Sequence, residues 1–230
     1  MINNKKVLAV VPARGGSKGV SRKNLRPLLG KPLIQWTIDE AKLSRYLDQI
    51  IVSTDDMEIA NVAKTLGVNV PFLRPVELAQ DDTPGIEVML HAIRMVPGYE
   101  IVITLQPTSP LRTNRDIDSA LEFFINQNVN ACVSVTEPEK SPYWMYYVDE
   151  KDKQLKPIIS NERVISNRQQ LPPTYVLNGA IYIANTDWLV QSKSYITSET
   201  IGYIMDKDRS YDIDTILDFK LVEYILEQTN

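Results

Sequence analysis

Residues 13–24 read Ala13-Arg14-Gly15-Gly16-Ser17-Lys18-Gly19-Val20-Ser21-Arg22-Lys23-Asn24, a glycine-rich loop carrying four long cations and entered directly from the apolar run 7–11. Glycines let a backbone turn its N–H groups inward, and Arg or Lys adds full charge, so such a loop can enclose phosphate. The first 38 residues hold eight Lys or Arg and no acid, while the remaining 192 hold 17 basic and 29 acidic side chains. A net of +8 set against −12 marks a local anion site in an acidic chain. The loop fits neither the GxxxxGK[ST] pattern of a Walker loop nor the GxGxxG of a dinucleotide fold. A solvated basic turn is the bland alternative. The surplus of Arg14, Lys18, Arg22 and Lys23 favours a polyphosphate, whose charge needs neutralising as a bond breaks.

A second constellation is Ser210-Tyr211-Asp212-Ile213-Asp214-Thr215. If it is extended, alternate side chains point the same way and both carboxylates can converge on a hard cation such as magnesium. By spacing alone it could equally be a helix N-terminus with two acids in the first turn. Opposite a cationic phosphate loop, a carboxylate-held metal completes a phosphoryl-transfer set. The third candidate is Leu105-Gln106-Pro107-Thr108-Ser109-Pro110-Leu111-Arg112, where Gln106 offers an amide and Arg112 a fork for carboxylate or phosphate. Arg168-Gln169-Gln170 and Asn178-Gly179-Ala180-Ile181-Tyr182 offer polar groups of less diagnostic spacing. His91, the only histidine, falls mid-helix beside Leu90 and reads as structural. Cys132 lies in the apolar run 131–135, reads as a buried thiol, and permits no intrachain disulfide. No nucleophile triad can be assembled around it or any Ser.

The elements that must position these groups follow from period and punctuation. Strands are expected over 7–11, 49–53, 101–105, 131–135, 175–184 and 203–205, with a short extended piece at 68–73. Helices are expected over 32–44, 57–66, 85–95, 117–126 and 215–227, capped by Thr54-Asp55-Asp56, Asp82-Thr83 and Thr113-Asn114 where they begin. Alternation of this kind implies an α/β domain with a mostly parallel sheet, whose ligands bind beyond the carboxyl ends of strands. Residues 137–173 break the rhythm with five prolines and the cluster Tyr143-Trp144-Met145-Tyr146-Tyr147. That stretch reads as a hairpin excursion making a subunit contact, or as a flap packed on its own domain. With 230 residues, 43% hydrophobic and 23% charged, the chain can bury one core without staples, which excludes disordered and collagen-like classes. A net charge of −4 argues against nucleic-acid coating, and the first apolar stretch is too short for a membrane span or signal h-region. A cytoplasmic protein is expected.

PARGGSKGVSRKN, RPVELAQDD, LQPTSPLR, RQQLP, NGAIYI and YDID stand here in the order seen in the CMP-nonulosonate synthetases, which the chain resembles from about Val7 to about Glu227. The resemblance implies a Rossmann-like nucleotide-diphospho-sugar transferase fold with a mixed sheet, one cytidylyltransferase domain over 1–230, and a homodimer formed through the 137–173 excursion. It implies that CTP and a nonulosonic acid sugar give a CMP-sugar and pyrophosphate. Carried over by motif, Arg14 and Lys23 would hold the triphosphate and stabilise charge at the α-phosphorus. Ala13, Ser17, Asn24 and Arg74 would seat the nucleotide. Asp212 and Asp214 would bind magnesium (Mg2+), with Asp214 also a candidate base, and Gln106, Arg168 and Tyr182 would face the sugar.

Departures from the neuraminate pattern concern the sugar. Trp144 stands where those enzymes often have Lys, Tyr175-Val176-Leu177 where they often have an Arg-Pro pair ahead of NGAIY, and Ser194-Tyr195 where they have paired aromatics. Fewer cations and more apolar surface suit a less hydroxylated sugar with an extra acetamido group, which favours N,N'-diacetyllegionaminate over N-acetylneuraminate. Pseudaminate and the eight-carbon Kdo are rival substrates. A non-catalytic nucleotide-sugar-binding module is the rival outside enzymes.

Overall fold

The structure, a computed structural model, describes residues 1–159 and 167–229, the side chains of Arg168 and Thr229 excepted. In chain order the elements are β1 Val7–Pro12, β2 Pro27–Leu28, β3 Lys31–Pro32, α1 Leu33–Leu43, β4 Gln49–Ser53, α2 Met57–Thr65, α3 Gly85–Met95 and β5 Ile101–Leu105. There follow α4 Asn114–Gln127, β6 Ala131–Thr136, β7 Tyr146–Val148, β8 Leu155–Pro157, β9 Val176–Asn185, α5 Thr186–Ser192, β10 Ile201–Ile204 and α6 Ile216–Thr229. Six strands form one sheet in the order β10-β6-β9-β5-β1-β4, parallel except for β9, which runs antiparallel to β5 and β6.

β1 is apolar at every position because both its faces are covered. Val7, Ala9 and Val11 join one cluster with Ile34 and Ile38 of α1, Ile59 of α2 and Phe124 of α4. Leu8 and Val10 point the other way, to Met89 and Ile93 of α3 and Leu189 of α5. A third cluster matters more for function. It joins Val20 of the glycine loop, Ile213 of the acidic segment and Phe219, Val222 and Leu226 of α6, so two distant pieces of the candidate site share one apolar anchor.

Most expected elements form, with displaced ends. α4 begins three residues early because Thr113 and Asp116 make a capping box. The expected Asp82-Thr83 cap of α3 is not made. Pro84 flanks that helix without a side-chain cap, and the Thr83 hydroxyl instead accepts from Gln80 N at 3.1 Å and donates to Glu77 O at 3.3 Å. Residues 68–73 form isolated parallel bridges, Ile51 with Asn69 and Thr54 with Leu73. A two-stranded ribbon of β2 and β3 escaped the sequence pattern, being too short for periodicity to register.

The excursion contains a hairpin, β7 with β8, whose Tyr146, Tyr147, Val148 and Leu155 are exposed. Cys132 is buried, and desolvation pushes its thiol up to about 12, which removes it from nucleophilic chemistry. His91 packs edge-on against Phe72 at 4.8 Å, as a structural residue would, but its Nδ1 has no partner. Among the described residues no helix is long and apolar enough to cross a membrane.

Candidate functional site

A cleft of about 630 Å³ opens at the carboxyl ends of β1 and β5, where an open α/β sheet binds ligands. Arg14, Ser17, Lys23, Asn24, Arg74, Gln106, Tyr182 and Asp214 all line it, so residues up to 200 apart in the chain meet there. Ala13 does not line it. It is fully buried, and its N–H continues the β1 ladder to Ser53 O at 2.9 Å. The Arg168 side chain lies outside the described residues.

The loop after β1 is shaped by close approach. A Cβ at Gly19 would overlap the Asp214 carbonyl oxygen, so only glycine lets the loop lie against the acidic segment. Gly15 N donates to Asp55 Oδ1 at 3.1 Å, and Asn24 Nδ2 donates to Arg14 O at 3.0 Å, which secures both ends of the turn. Lys23 Nζ reaches Ile213 O at 2.5 Å and Asp214 Oδ1 at 3.3 Å. Arg14 donates to Gln80 O at 3.0 Å and pairs with Asp81 at 2.9 Å, and Lys18 pairs with the same carboxylate at 2.5 Å. Arg22 departs from expectation. It pairs with Glu58 and, at 2.8 Å, with Asp56, the cap residue of α2, and is absent from the cleft lining. Its charge fixes the start of a helix.

The two readings of the acidic segment are resolved by its neighbours. Residues 211–214 belong to no helix, and α6 starts only at Ile216 behind a capping pair in which Asp218 Oδ2 accepts from Thr215 N at 2.7 Å and Thr215 Oγ1 accepts from Asp218 N at 3.2 Å. Ile213 is fully buried and its N–H donates to Thr108 O at 2.9 Å, Asp214 is exposed on the cleft wall, and Asp212 lies towards Gly179 outside the lining. Upstream, Arg209 grips the buried Asp116 with Nε to Oδ2 at 2.9 Å and Nη2 to Oδ1 at 3.0 Å. Burial raises the Asp212 carboxyl above its usual range, the nearby Asp214 charge adds to this, and Thr108 and Lys23 oppose it. Asp212 Oδ1 is buried without a hydrogen-bond partner. Such an oxygen suits a cation.

The opposite wall comes from β5, β9 and the loop after β5. Between Val133↔Tyr182 and Val135↔Leu177 the single residue Ser134 faces Asn178 to Ile181, a bulge made possible by Gly179 at φ +74°. Ser134 Oγ accepts from Ile181 N at 2.8 Å and donates to Asn178 Oδ1 at 2.6 Å, while Asn178 Nδ2 donates to Ser210 Oγ at 2.9 Å. The bulge is thereby tied to the acidic segment. It also brings Gly179 under the Gln106 amide, where a Cβ would come within 3.2 Å of Oε1. Tyr182 packs against Tyr195 at 5.4 Å, and the Tyr195 hydroxyl bonds Thr104 Oγ1 at 2.9 Å.

Arg112 does not offer its fork to a ligand. It is 1% exposed, donating to Ala180 O at 2.8 Å, Gln106 O at 3.1 Å and Thr37 Oγ1 at 2.8 Å. Burial brings it down to about 10. It is an internal clamp between β5, β9 and α1. Arg74 is likewise buried, donating to Ser53 O at 2.6 Å and Leu78 O at 3.3 Å, yet it lines the cleft floor. Lining residues that pattern did not single out include Thr104, Ile86 and Met89. They carry no motif, and only the sheet order brings them to the cleft.

The arrangement can bind an elongated polyanion along the cationic loop and hold a hydroxyl-bearing partner beside Gln106 and Tyr182, with carboxylates between them. A family model described as cytidylyltransferase matches residues 8–230. CMP-N,N'-diacetyllegionaminic acid synthase of Legionella pneumophila is 36% identical, over 96% of this chain and 97% of that one. N-acylneuraminate cytidylyltransferase of Escherichia coli is 35% identical over 98% of this chain, which spans only 53% of that longer protein. In fold, the chain is similar to CMP:2-keto-3-deoxy-manno-octonic acid synthetase complexed with CTP, with a TM-score of 0.75 at 18% identity, covering 98% of this chain and 100% of that one.

Proposed function

The chain belongs to the cytidylyltransferase family, and from that premise we propose that it joins CTP to a nine-carbon nonulosonic sugar, releasing pyrophosphate and a CMP-sugar. The observation that carries this reading is the meeting of Arg14, Lys23 and Asp214 with Gln106 and Tyr182 in one cleft, beside the unpartnered oxygen of Asp212.

In this reading the sugar C2 hydroxyl attacks the α-phosphorus in line, the bond to the pyrophosphate oxygen breaks, and the hydroxyl proton passes to a carboxylate. Arg14 and the loop N–H groups take the terminal phosphates, with Ser17, Asn24 and Arg74 seating the nucleotide. Lys23, held by Ile213 O, sits where negative charge grows at the α-phosphate. Asp214 takes the proton, being on the cleft wall and exposed. Asp212 and Asp214 fit magnesium, which accepts one or two carboxylates and completes its shell with phosphate oxygens and water. Bound there, the metal would withdraw charge from the triphosphate. Gln106, Tyr182 and Arg168 orient the sugar.

Relatives of both sugar types match at nearly equal identity, so the choice of N,N'-diacetyllegionaminate over N-acetylneuraminate rests on this chain's own apolar substitutions. Tyr175, Val176 and Leu177 are exposed where β9 begins. Pyrophosphate release from CTP and magnesium, measured in parallel with legionaminate, N-acetylneuraminate, pseudaminate and Kdo, tests the reading. The highest catalytic efficiency is expected with legionaminate. A higher value with N-acetylneuraminate corrects the sugar, turnover with only one of the last two corrects the sugar class, and silence with all four sinks the reaction.

The chain works in this proposal as one cytoplasmic domain over 1–230 that pairs through residues 137–173. The exposed Tyr146, Tyr147, Val148, Leu155 and Ile158 supply an apolar surface for the homodimer. Light scattering is expected to return twice the chain mass of 26.1 kDa. A single-chain mass at working concentration would remove the dimer.

A further inference from the structure

A cleft that takes a triphosphate should present free cations, yet this one carries a carboxylate on two of its own. Asp81 bridges Arg14 Nη2 at 2.9 Å and Lys18 Nζ at 2.5 Å, and all three residues line the cavity. Two oxygens shared between a guanidinium and an ammonium is the arrangement in which those groups would hold phosphate. Of the other two loop cations, Lys23 pairs with Asp214, the exposed cleft carboxylate already given a role in the chemistry, and Arg22 pairs with Glu58 outside the cleft and with Asp56, which is anchored as a helix cap and only 15% exposed. Arg209 likewise pairs with a carboxylate 3% exposed. Asp81 differs from these: it bridges two loop cations at once, its side chain is 46% exposed, and it lines the cavity without a part in the reaction described above. Wet ion pairs of that kind are weak and exchange readily.

The contact also has a positional consequence. Arg14 is held to the 80–81 segment twice, through Gln80 O at 3.0 Å and through Asp81, so the backbone contact to Gln80 still holds the guanidinium at the cleft when Asp81 lets go. A fixed negative charge there would repel the nucleotide, whereas one that swings aside presents the cations already arranged.

We propose that Asp81 is a positioning residue that occupies the phosphate subsite of the glycine loop while the cleft is empty, and is exchanged for phosphate oxygens when the triphosphate enters. This rests on the reading of the cleft as a triphosphate site. Asp81→Asn keeps the size and removes the competing charge, so it binds inorganic triphosphate more tightly, by about tenfold for two exposed ion pairs. Asp81→Glu restores the bridge and the wild-type affinity. A residue that merely braced the loop would give the opposite sign, with weaker binding in Asp81→Asn.

Calorimetric titration of inorganic triphosphate into wild type, Asp81→Asn and Asp81→Glu reads this directly, with thermal melting as the folding control and CTP turnover measured on the same preparations. Tighter binding by the Asn variant alone is the expected result. Unchanged or weaker binding by the Asn variant overturns the role of Asp81, and if wild type still turns over CTP the reading of the cleft survives. Absence of both triphosphate binding and turnover in folded protein overturns the two together.

Discussion

Replacing Lys23 by Met is expected to lower kcat/KM for CTP-dependent pyrophosphate release by about 10²–10³-fold, the range for losing one preorganised donor at a developing anion. Lys23 Nζ is fixed by Ile213 O and by Asp214, lies on the cleft wall, and has only 15% of its side chain exposed. It therefore needs no search to meet the α-phosphate. The loss should fall mainly on kcat, because the charge it compensates is larger in the transition state than in the bound nucleotide. Lys23→Arg should recover little. A planar guanidinium fork does not present its charge as the compact ammonium does between Ile213 O and Asp214. Steady-state kinetics with CTP varied at saturating sugar would decide it, and a Met variant within about threefold of wild type would remove Lys23 from the chemistry.

Asp214→Asn is expected to cost about 10²–10⁴-fold in kcat, the span of general-base contributions. Its side chain is 76% exposed, and the bond that orders this turn, Asp214 N to Asp218 Oδ2 at 3.1 Å, belongs to the backbone and survives the change. Melting temperature should therefore barely move, which separates a chemical loss from a structural one. Titrating magnesium then divides the two roles. A defect erased by excess metal identifies a ligand alone, whereas a defect that persists at saturation, with a changed pH profile, identifies the base. Activity near wild type at every magnesium concentration would dismiss both roles.

The contrast between Asp214 and its neighbour two residues upstream illustrates how little spacing says about environment. Both stand in the short segment before α6, yet Asp212 is partly buried with its carboxyl shifted upward, while Asp214 is open to the cleft. The difference comes from what surrounds each: Asp212 approaches Gly179 and the Thr108 hydroxyl, whereas Asp214 faces Lys23.

Much of the fold could be read from local order in the chain. Val7 to Val11 can be apolar throughout only as a doubly covered strand, and Asp56 and Thr113 mark helix starts because a side-chain oxygen followed by unpaired N–H groups has one good use. The glycine loop and the acidic pair were legible for the same reason: their chemistry is written in consecutive residues. Alternatives that tie locally needed the third dimension. That residues 211–214 are not the first turn of a helix was decided by Ile213 burying in one cluster with Val20 and Phe219, together with the Thr215–Asp218 cap.

Partner choice was the illegible part. Arg22 and Lys23 are adjacent and alike in sequence, yet one pairs with the cap residue of α2 and the other enters the cleft, the backbone turning at Arg22 with φ +53°. Arg112 looked like a ligand fork and became a buried clamp once β9 brought Ala180 O beside it. Asp81, which stood in the sequence only as one residue of RPVELAQDD, bridges two cations more than 60 residues away. Composition and short-range spacing select which groups are available, since propensity, capping and charge act over a few residues. Which groups are buried, paired or free depends on contacts between distant segments, and those exist only after the sheet has set the order of its strands.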